Sequence, residues 1–285
     1  MDIELLRTFL QVARTGRFRV AAEQLCLTQS AVSARIKLLE GEMGIRLFDR
    51  NKHGVALTYA GTRLVSHAET ILSDWRRCCQ EVILPSDAGA MLAVGSVDSV
   101  WTMYLGKWLA LTHQAAPELV IKAEISSTDV LVRQLLEGTL DLIVVFETPQ
   151  LPQVISVPLV TIPMVMVSSR RKQTAAQAMA GRYVFVDWSP VFSTLHLQHF
   201  PGEQSNKVQT TSGKIALDLV LAMGGAAYFP QPMVRGHLTK RQLFEVADAP
   251  RILRPIYALH LVQRGQDGPL TRAIALLRDI LQEDS

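Results

Sequence analysis

No apolar run in this 285-residue chain is long enough to cross a bilayer. The two longest, 154–167 and 215–229, are interrupted by Pro158 and Pro163 and by Asp218 and Gly224-Gly225, and both fall short of the roughly 20 unbroken apolar residues a spanning helix needs. The opening Met1-Asp2-Ile3-Glu4 puts acids where a secretory leader carries a basic segment, so the chain is expected to stay in the cytoplasm with no membrane partner. Cysteine is scarce. Cys26, Cys78 and Cys79 have neither metal-ligand spacing nor the even count of a disulfide framework, which leaves free thiols. Missing too are a Gly-x-Ser-x-Gly elbow, a phosphate-binding loop and a Gly-x-Gly-x-x-Gly turn after a strand. His196 and His199 can share a helix face, but no third ligand of suitable spacing accompanies them, and they read as partly exposed surface residues. No enzymatic chemistry, cofactor or metal is expected.

Charge is thin as well, 19% of residues with a net +3, too little to imply a polyanionic partner by amount alone. Its placement says more. Residues 1–84 hold twelve Lys or Arg against nine Asp or Glu, while 85–285 hold seventeen of each. Between Arg14 and Lys52 the ratio is eight to four, the footprint of a small phosphate-contacting surface. Apolar residues are plentiful at 48%, enough for the cores of the two or three domains that this length suits.

The first segment reads helix, helix, helix, hairpin. Leu5, Leu6, Phe9 and Val12 recur at helical spacing and Gly16 ends the helix. A short second helix covers Val20 to Leu25, with Ala21-Ala22 small enough for close packing. Thr28 then caps a third, whose Val32, Ile36 and Leu39 share one face while Gln29, Ser30, Ser33, Arg35 and Lys37 occupy the other. This is the pattern of a helix-turn-helix, in which short polar side chains of the second helix read base edges in the major groove. The turn Arg50-Asn51-Lys52-His53-Gly54 before Val55-Ala56-Leu57 reads as a hairpin with a basic tip. From Thr58 to about Leu84 no proline occurs, and Leu64, Ala68, Ile71, Trp75, Cys78 and Val82 advance by alternating steps of four and three. That spacing predicts a heptad seam on a long helix and hence a dimer. Pro85-Ser86-Asp87-Ala88-Gly89 breaks it.

These residues resemble the LysR-type transcriptional regulators, over the full length of the chain. Leu6-Arg7-Thr8-Phe9, Ala21-Ala22-Glu23-Gln24-Leu25, Leu27 to Ser33, Ile36 to Glu40, Leu47-Phe48-Asp49-Arg50 and Leu57-Thr58-Tyr59-Ala60-Gly61 follow the family's N-terminal pattern in order and spacing. The resemblance implies DNA contacts from Gln29, Ser30, Ser33, Arg35 and Lys37 on the recognition helix and from Arg50, Lys52 and His53 on the wing. Ser30 stands where proline is frequent and Ala34 where arginine is frequent, and the second departure bears on which bases are read. Implied partners are a pseudo-palindromic double-stranded operator, further copies of the chain in a homodimer or homotetramer, a small-molecule effector and RNA polymerase. Ser99-Val100-Trp101, Asp187-Trp188-Ser189-Pro190 and Arg254 to Ala258 resemble one subgroup, which implies flagellar genes as targets. The implied fold class is α/β: a winged helix-turn-helix (1–58), a linker helix with hinge (59–89), and a two-lobed, periplasmic-binding-protein-like domain (90–285). Lobe I would span about 90–160 and 263–285 and lobe II about 161–262.

The C-terminal residues support this independently. Strand candidates at 91–97, 119–125, 140–146, 157–167, 183–187, 208–211, 226–229, 243–246 and 254–262 alternate with helical stretches at 100–113, 129–136, 191–199, 213–223 and 270–282. The rhythm predicts mostly parallel sheets with helices on both faces. Ligands then sit at strand carboxyl ends beside helix N-termini. Three such ends are Ser96-Val97-Asp98-Ser99, Ser126-Ser127-Thr128 and Thr211-Ser212-Gly213, whose hydroxyls can hold a carboxylate or merely cap helices; Asp98 would repel an anion. Phe146 and Phe229 are candidates to line the cleft, with hinge strands near 157–161 and 259–262. Two rivals stand beside this reading. A regulator acting by DNA occupancy needs no effector, and a cytoplasmic solute-binding protein leaves the basic N-terminal module without a role.

Overall fold

The computed structural model describes residues 2–51, 54–82, 89–201, 208–264 and 268–283. They divide into two compact units, one built on 1–86 with 133–139 and the other on 87–132 and 140–285.

The first unit opens with α1 (Ile3–Thr15), α2 (Phe18–Gln24) and α3 (Gln29–Met43). Asp2 starts α1 by accepting the Glu4 amide at 2.9 Å, and Gly16 ends it at φ 63°, a left-handed conformation open to glycine at little cost. Leu5, Leu6, Phe9, Val12, Ala21, Ala22, Val32, Ile36 and Leu39 form one buried core. The hairpin of β1 (Phe48–Asn51) and β2 (Gly54–Leu57) is held from both sides. The Val55 amide donates to the Gly16 carbonyl at 3.1 Å, and the Glu40 carboxylate accepts the Leu47 and Phe48 amides at 2.8 and 3.2 Å.

Next, α4 (Tyr59–Val82) begins at Thr58, whose hydroxyl accepts the Gly61 amide at 3.0 Å and donates to the Arg46 carbonyl at 2.9 Å. A Cβ at Gly61 would overlap the Leu47 carbonyl oxygen, so only glycine lets the helix press this close to the strand. Leu64, Ala68 and Leu72 belong to the buried core around α1 to α3. This corrects the six-residue seam. Leu64 and Ala68 are spent inside their own unit, because a helix leaving a three-helix head must first cover that head's apolar face. Ile71, Trp75, Cys78 and Val82 do face outward, with Trp75 50% and Val82 79% exposed.

In the second unit β3 (Ala90–Ser96) leads into α5 (Asp98–Val100), which runs through a π-helical turn (Trp101–Leu105) into α6 (Gly106–Ala115). Then follow β4 (Leu119–Ile125), α7 (Thr128–Leu136), β5 (Leu142–Val145) and the long β6 (Val154–Ser168). The chain continues with α8 (Ala175–Ala180), β7 (Val184–Val186), α9 (Pro190–His199), β8 (Val208–Thr210), α10 (Gly213–Met223), β9 (Ala226–Pro230), α11 (Gln231–Thr239) and β10 (Phe244–Glu245). It closes with β11 (Ile252–Leu261), a 3-10 turn (Val262–Arg264) and α12 (Gly268–Glu283). Strands order as β10-β6-β11-β5-β3-β4, with β9 also on β6 and a separate β7-β8 pair.

The expectation of mostly parallel sheets needs correction. Pairs β3-β4, β3-β5 and β7-β8 are parallel, but β6 and β11 run antiparallel to each other and to β5, β9 and β10. These two strands are shared by two cores. Leu159, Ile162, Ile256 and Ala258 pack with Trp108 and Leu277, whereas Met164, Met166 and Ile252 pack with Phe192 and Tyr228. The crossing on β11 therefore falls between Ile252 and Ile256, ahead of the expected 259–262, because Tyr257 to Leu259 are already in register with β5. Pro163 faces Leu253, Pro255 faces Thr161, and the ladder shifts register between Ile256 and Tyr257. Sequence reading also missed α8 and α11, the first only six residues long behind the capping box of Thr174 and Gln177.

Candidate DNA interface and effector cleft

Thr28 caps α3 by accepting the Ala31 amide at 3.2 Å. With Val32, Ile36 and Leu39 turned into the core, Gln29, Ser30, Ala34, Lys37 and Leu38 are exposed and Ser33 is half-buried. Ser30, Ala34 and Lys37 lie at i, i+4 and i+7, so they form one outward stripe. Arg35 lies off this stripe. Its guanidinium donates to the Thr8 hydroxyl at 3.2 Å and meets the Glu4 carboxylate at 3.5 Å. Three residues after Val32 and four before Leu39, it flanks the core face and braces α3 to α1. On the wing, Arg50 lies in β1 opposite Val55, while Lys52 and His53 fall outside the described residues. Sequence reasoning overlooked Arg17, exposed at the N-cap of α2, whose side chain has no partner among the described residues.

The second unit encloses a cleft of about 450 Å³. The three strand ends singled out from sequence converge on it: Asp98 and Ser99 after β3, Ser126, Ser127 and Thr128 after β4, and Thr211 with Gly213 after β8. Glu147, Asp187, Trp188, Ser189 and Asp129 complete much of the wall, and none of these five was anticipated as a site residue. Ser96, Phe146, Ser212 and Phe229 are not among the cleft's lining residues. Ser96 is fully buried and donates its hydroxyl to the Val144 carbonyl. Ser212 caps α10 by accepting the Ile215 amide at 3.4 Å. Phe146 and Phe229 are core residues, as aromatics closing a strand commonly are.

Beneath the wall lies Arg254, 3% exposed. Its guanidinium donates to the Glu147 carboxylate at 3.1 Å and to the Ser189 hydroxyl at 2.9 Å, and stands 5.1 Å from the centre of the Phe146 ring. Burial pushes its pKa down from the ordinary value, and the Glu147 carboxylate pulls it back up. Glu147 follows β5 and Ser189 caps α9, so one buried cation joins both cores at the point where β11 crosses. Asp187 accepts the Ser193 hydroxyl at 2.8 Å. Away from the cleft, His196 is buried rather than part of the surface. It sits among Tyr183, Phe185, Phe192, Phe200 and Tyr228, with the Tyr183 hydroxyl 2.8 Å from its Nε2, and desolvation lowers its pKa to about 4.

Residues 3–62 match the family model described as bacterial regulatory helix-turn-helix protein, lysR family, and residues 86–283 match the LysR substrate binding domain. This chain belongs to the LysR family. It is a LysR-type transcription regulator, in a family of regulators rather than enzymes, and its C-terminal unit is an effector-binding domain. Curated LysR relatives include the HTH-type transcriptional regulator HdfR of Yersinia pestis (strain Pestoides F), 36% identical over 293 residues that cover 99% of this chain and 96% of that protein. HdfR of Yersinia pseudotuberculosis serotype O:1b matches equally. Solved LysR-type folds agree along the whole chain. ArgP from Mycobacterium tuberculosis superposes with a TM-score of 0.59 at 22% identity, covering 99% of this chain and 97% of its own. DarR of Vibrio fischeri, solved in complex with DNA, gives 0.58 at 19%, covering 98% and 99%. Among the described residues no helix is long and apolar enough to cross a membrane.

Proposed function

We propose that this regulator reads a pseudo-palindromic operator as a cytoplasmic homodimer or homotetramer and changes its DNA affinity when a small molecule occupies the cleft. The observation that carries the reading is the outward polar stripe of α3, capped by Thr28 and set by the buried Val32, Ile36 and Leu39. Gln29, Ser30, Ser33 and Lys37 are the groove-facing residues in this reading; Arg50, Lys52 and His53 take the phosphates from the wing, and half-sites lie about 10 base pairs apart. Support for the DNA contacts comes from DarR, which carries the same fold and was solved on DNA. Pairing runs through Ile71, Trp75, Cys78 and Val82, apolar or thiol-bearing residues that α4 leaves uncovered at heptad spacing. Likeness to HdfR and to its subgroup favours flagellar genes among the targets, with RNA polymerase as a further partner.

Genome-wide mapping of bound sites, followed by anisotropy titrations on the recovered duplexes, tests the reading. Lys37→Ala lowers affinity, by about 1 kcal/mol if it meets a phosphate and by up to about 3 if it reads a guanine. An unaltered affinity and salt slope would remove α3 from the groove. A second reading, occupancy of DNA without any effector, draws on Glu147 already holding the buried cation of the cleft.

A further inference from the structure

The effector cleft has an electrostatic character that the sequence reading did not anticipate. Asp98, Asp129, Glu147 and Asp187 all line it, and among its described lining residues there is no Lys, Arg or His. Arg254, the buried cation behind the wall, is already engaged by Glu147 and Ser189. The helical run from Asp98 and helices α7, α9 and α10 begin at this cleft, and each helix end is worth about half a positive charge. With Glu147 neutralised by Arg254, they offset about two of the three remaining carboxylate charges, and α9 and α10 are additionally capped by Ser189 and Ser212. The field left in the cleft is negative.

A second feature shows that the wall is built to meet something. Ser99 is 93% buried, its 7% exposure lies in the cleft lining, and its hydroxyl makes no hydrogen bond among the described residues. A ligand atom entering the cleft can supply the partner that this hydroxyl lacks among those residues. Ser126, Ser127, Thr128 and Thr211 likewise offer side-chain oxygens with no partner among the described residues. The indole of Trp188 adds an aromatic face, fixed by donation of its Nε1 proton to the Tyr228 carbonyl at 3.0 Å. Acceptors, carboxylates and an aromatic wall together form the chemistry that recognises a cation. A carboxylate ligand would find neither a free basic side chain nor a favourable potential.

We infer that the cleft binds a small organic cation, a protonated amine or guanidinium on a compact body, held by Asp98 and Asp129 with the Ser99 hydroxyl and stacked on Trp188. This inference rests on the effector-responsive reading above and narrows its ligand class.

Calorimetry on the full chain at low ionic strength tests it, with tyramine, agmatine and 1,4-diaminobutane as cationic probes and succinate and benzoate as anionic ones, alongside anisotropy on an operator duplex. At least one amine is expected to bind at one site per chain and to shift operator affinity. Asp98→Asn and Asp129→Asn should each weaken that amine about three- to tenfold, while Asp218→Asn, a surface control paired with Lys214, leaves it unchanged. Binding of succinate or benzoate with none by the amines overturns the cationic assignment and leaves an effector-responsive regulator. Silence from both classes, in a preparation that still binds its operator, overturns the assignment and favours occupancy without effector.

Discussion

Replacing Glu147 with alanine strips Arg254 of its one carboxylate partner among the described residues while leaving the residue 3% exposed with its guanidinium over the Phe146 ring. Breaking a fully buried pair from one side costs about 3–5 kcal/mol. The Glu147 side chain is 31% exposed and water can enter its place, while the Ser189 hydroxyl still accepts one proton, so the expected loss is about 1.5–2.5 kcal/mol. For a unit of this size that corresponds to a drop in Tm of about 3–8 °C. Differential scanning calorimetry reads it directly, and a double-mutant cycle with Arg254→Met isolates the pair. The coupling should exceed about 1 kcal/mol, because each single variant orphans a group that the double variant does not. A Glu147→Ala protein melting within a degree of the parent, or a coupling near zero, would refute the claim that Arg254 needs this partner to join the two cores.

His196 has a folded pKa of about 4 against an ordinary 6.5, so between those values the unfolded chain binds more protons. Stability should therefore rise with pH across that window and fall by a few kcal/mol on acidification; His196→Gln should flatten the slope, and an unchanged pH profile in urea melts would contradict the buried neutral ring. Aspartate at Ile71 or Trp75 should dissociate the oligomer in sedimentation runs without unfolding it, whereas Ala68→Asp, inside the core, should unfold the first unit; intact oligomers from the first two variants would exclude that face. Gly61→Ala should destabilise by about 1–3 kcal/mol through overlap with the Leu47 carbonyl, and a parental urea midpoint would show that the helix can back away.

The head was legible because its periodicities are local. Val32, Ile36 and Leu39, the Thr28 cap and the Gly16 stop each act within a few residues, and α1, α3 and the hairpin fall where those signals put them. Arg35 differs from Lys37 in that its place three residues beyond Val32 turns it toward α1, where it meets Thr8 and Glu4, a contact that helical spacing alone does not announce. The apolar steps along α4 were real but served two surfaces in succession, head first and then solvent, which a repeat alone does not separate. In the second unit the three hydroxyl-rich strand ends did meet at one cleft. Glu147, Trp188 and Arg254 escaped notice because their significance depends on contacts 40 to 107 residues apart, which no local pattern carries. The antiparallel course of β6 and β11 was hidden for the same reason: both strands read as apolar runs, whichever direction their neighbours take.

Prolines 163 and 255, together with the register shift beside Ile256, occupy the stretch where β6 and β11 pass from one core to the other. Neither proline has an amide proton to give, so the ribbon there has fewer bonds to lose than elsewhere along its length. The two cores are thus joined through the stretch of two strands where cross-strand bonding is thinnest. A ligand touching both walls would shift the balance between two arrangements of the cores only by the difference between its affinities for them.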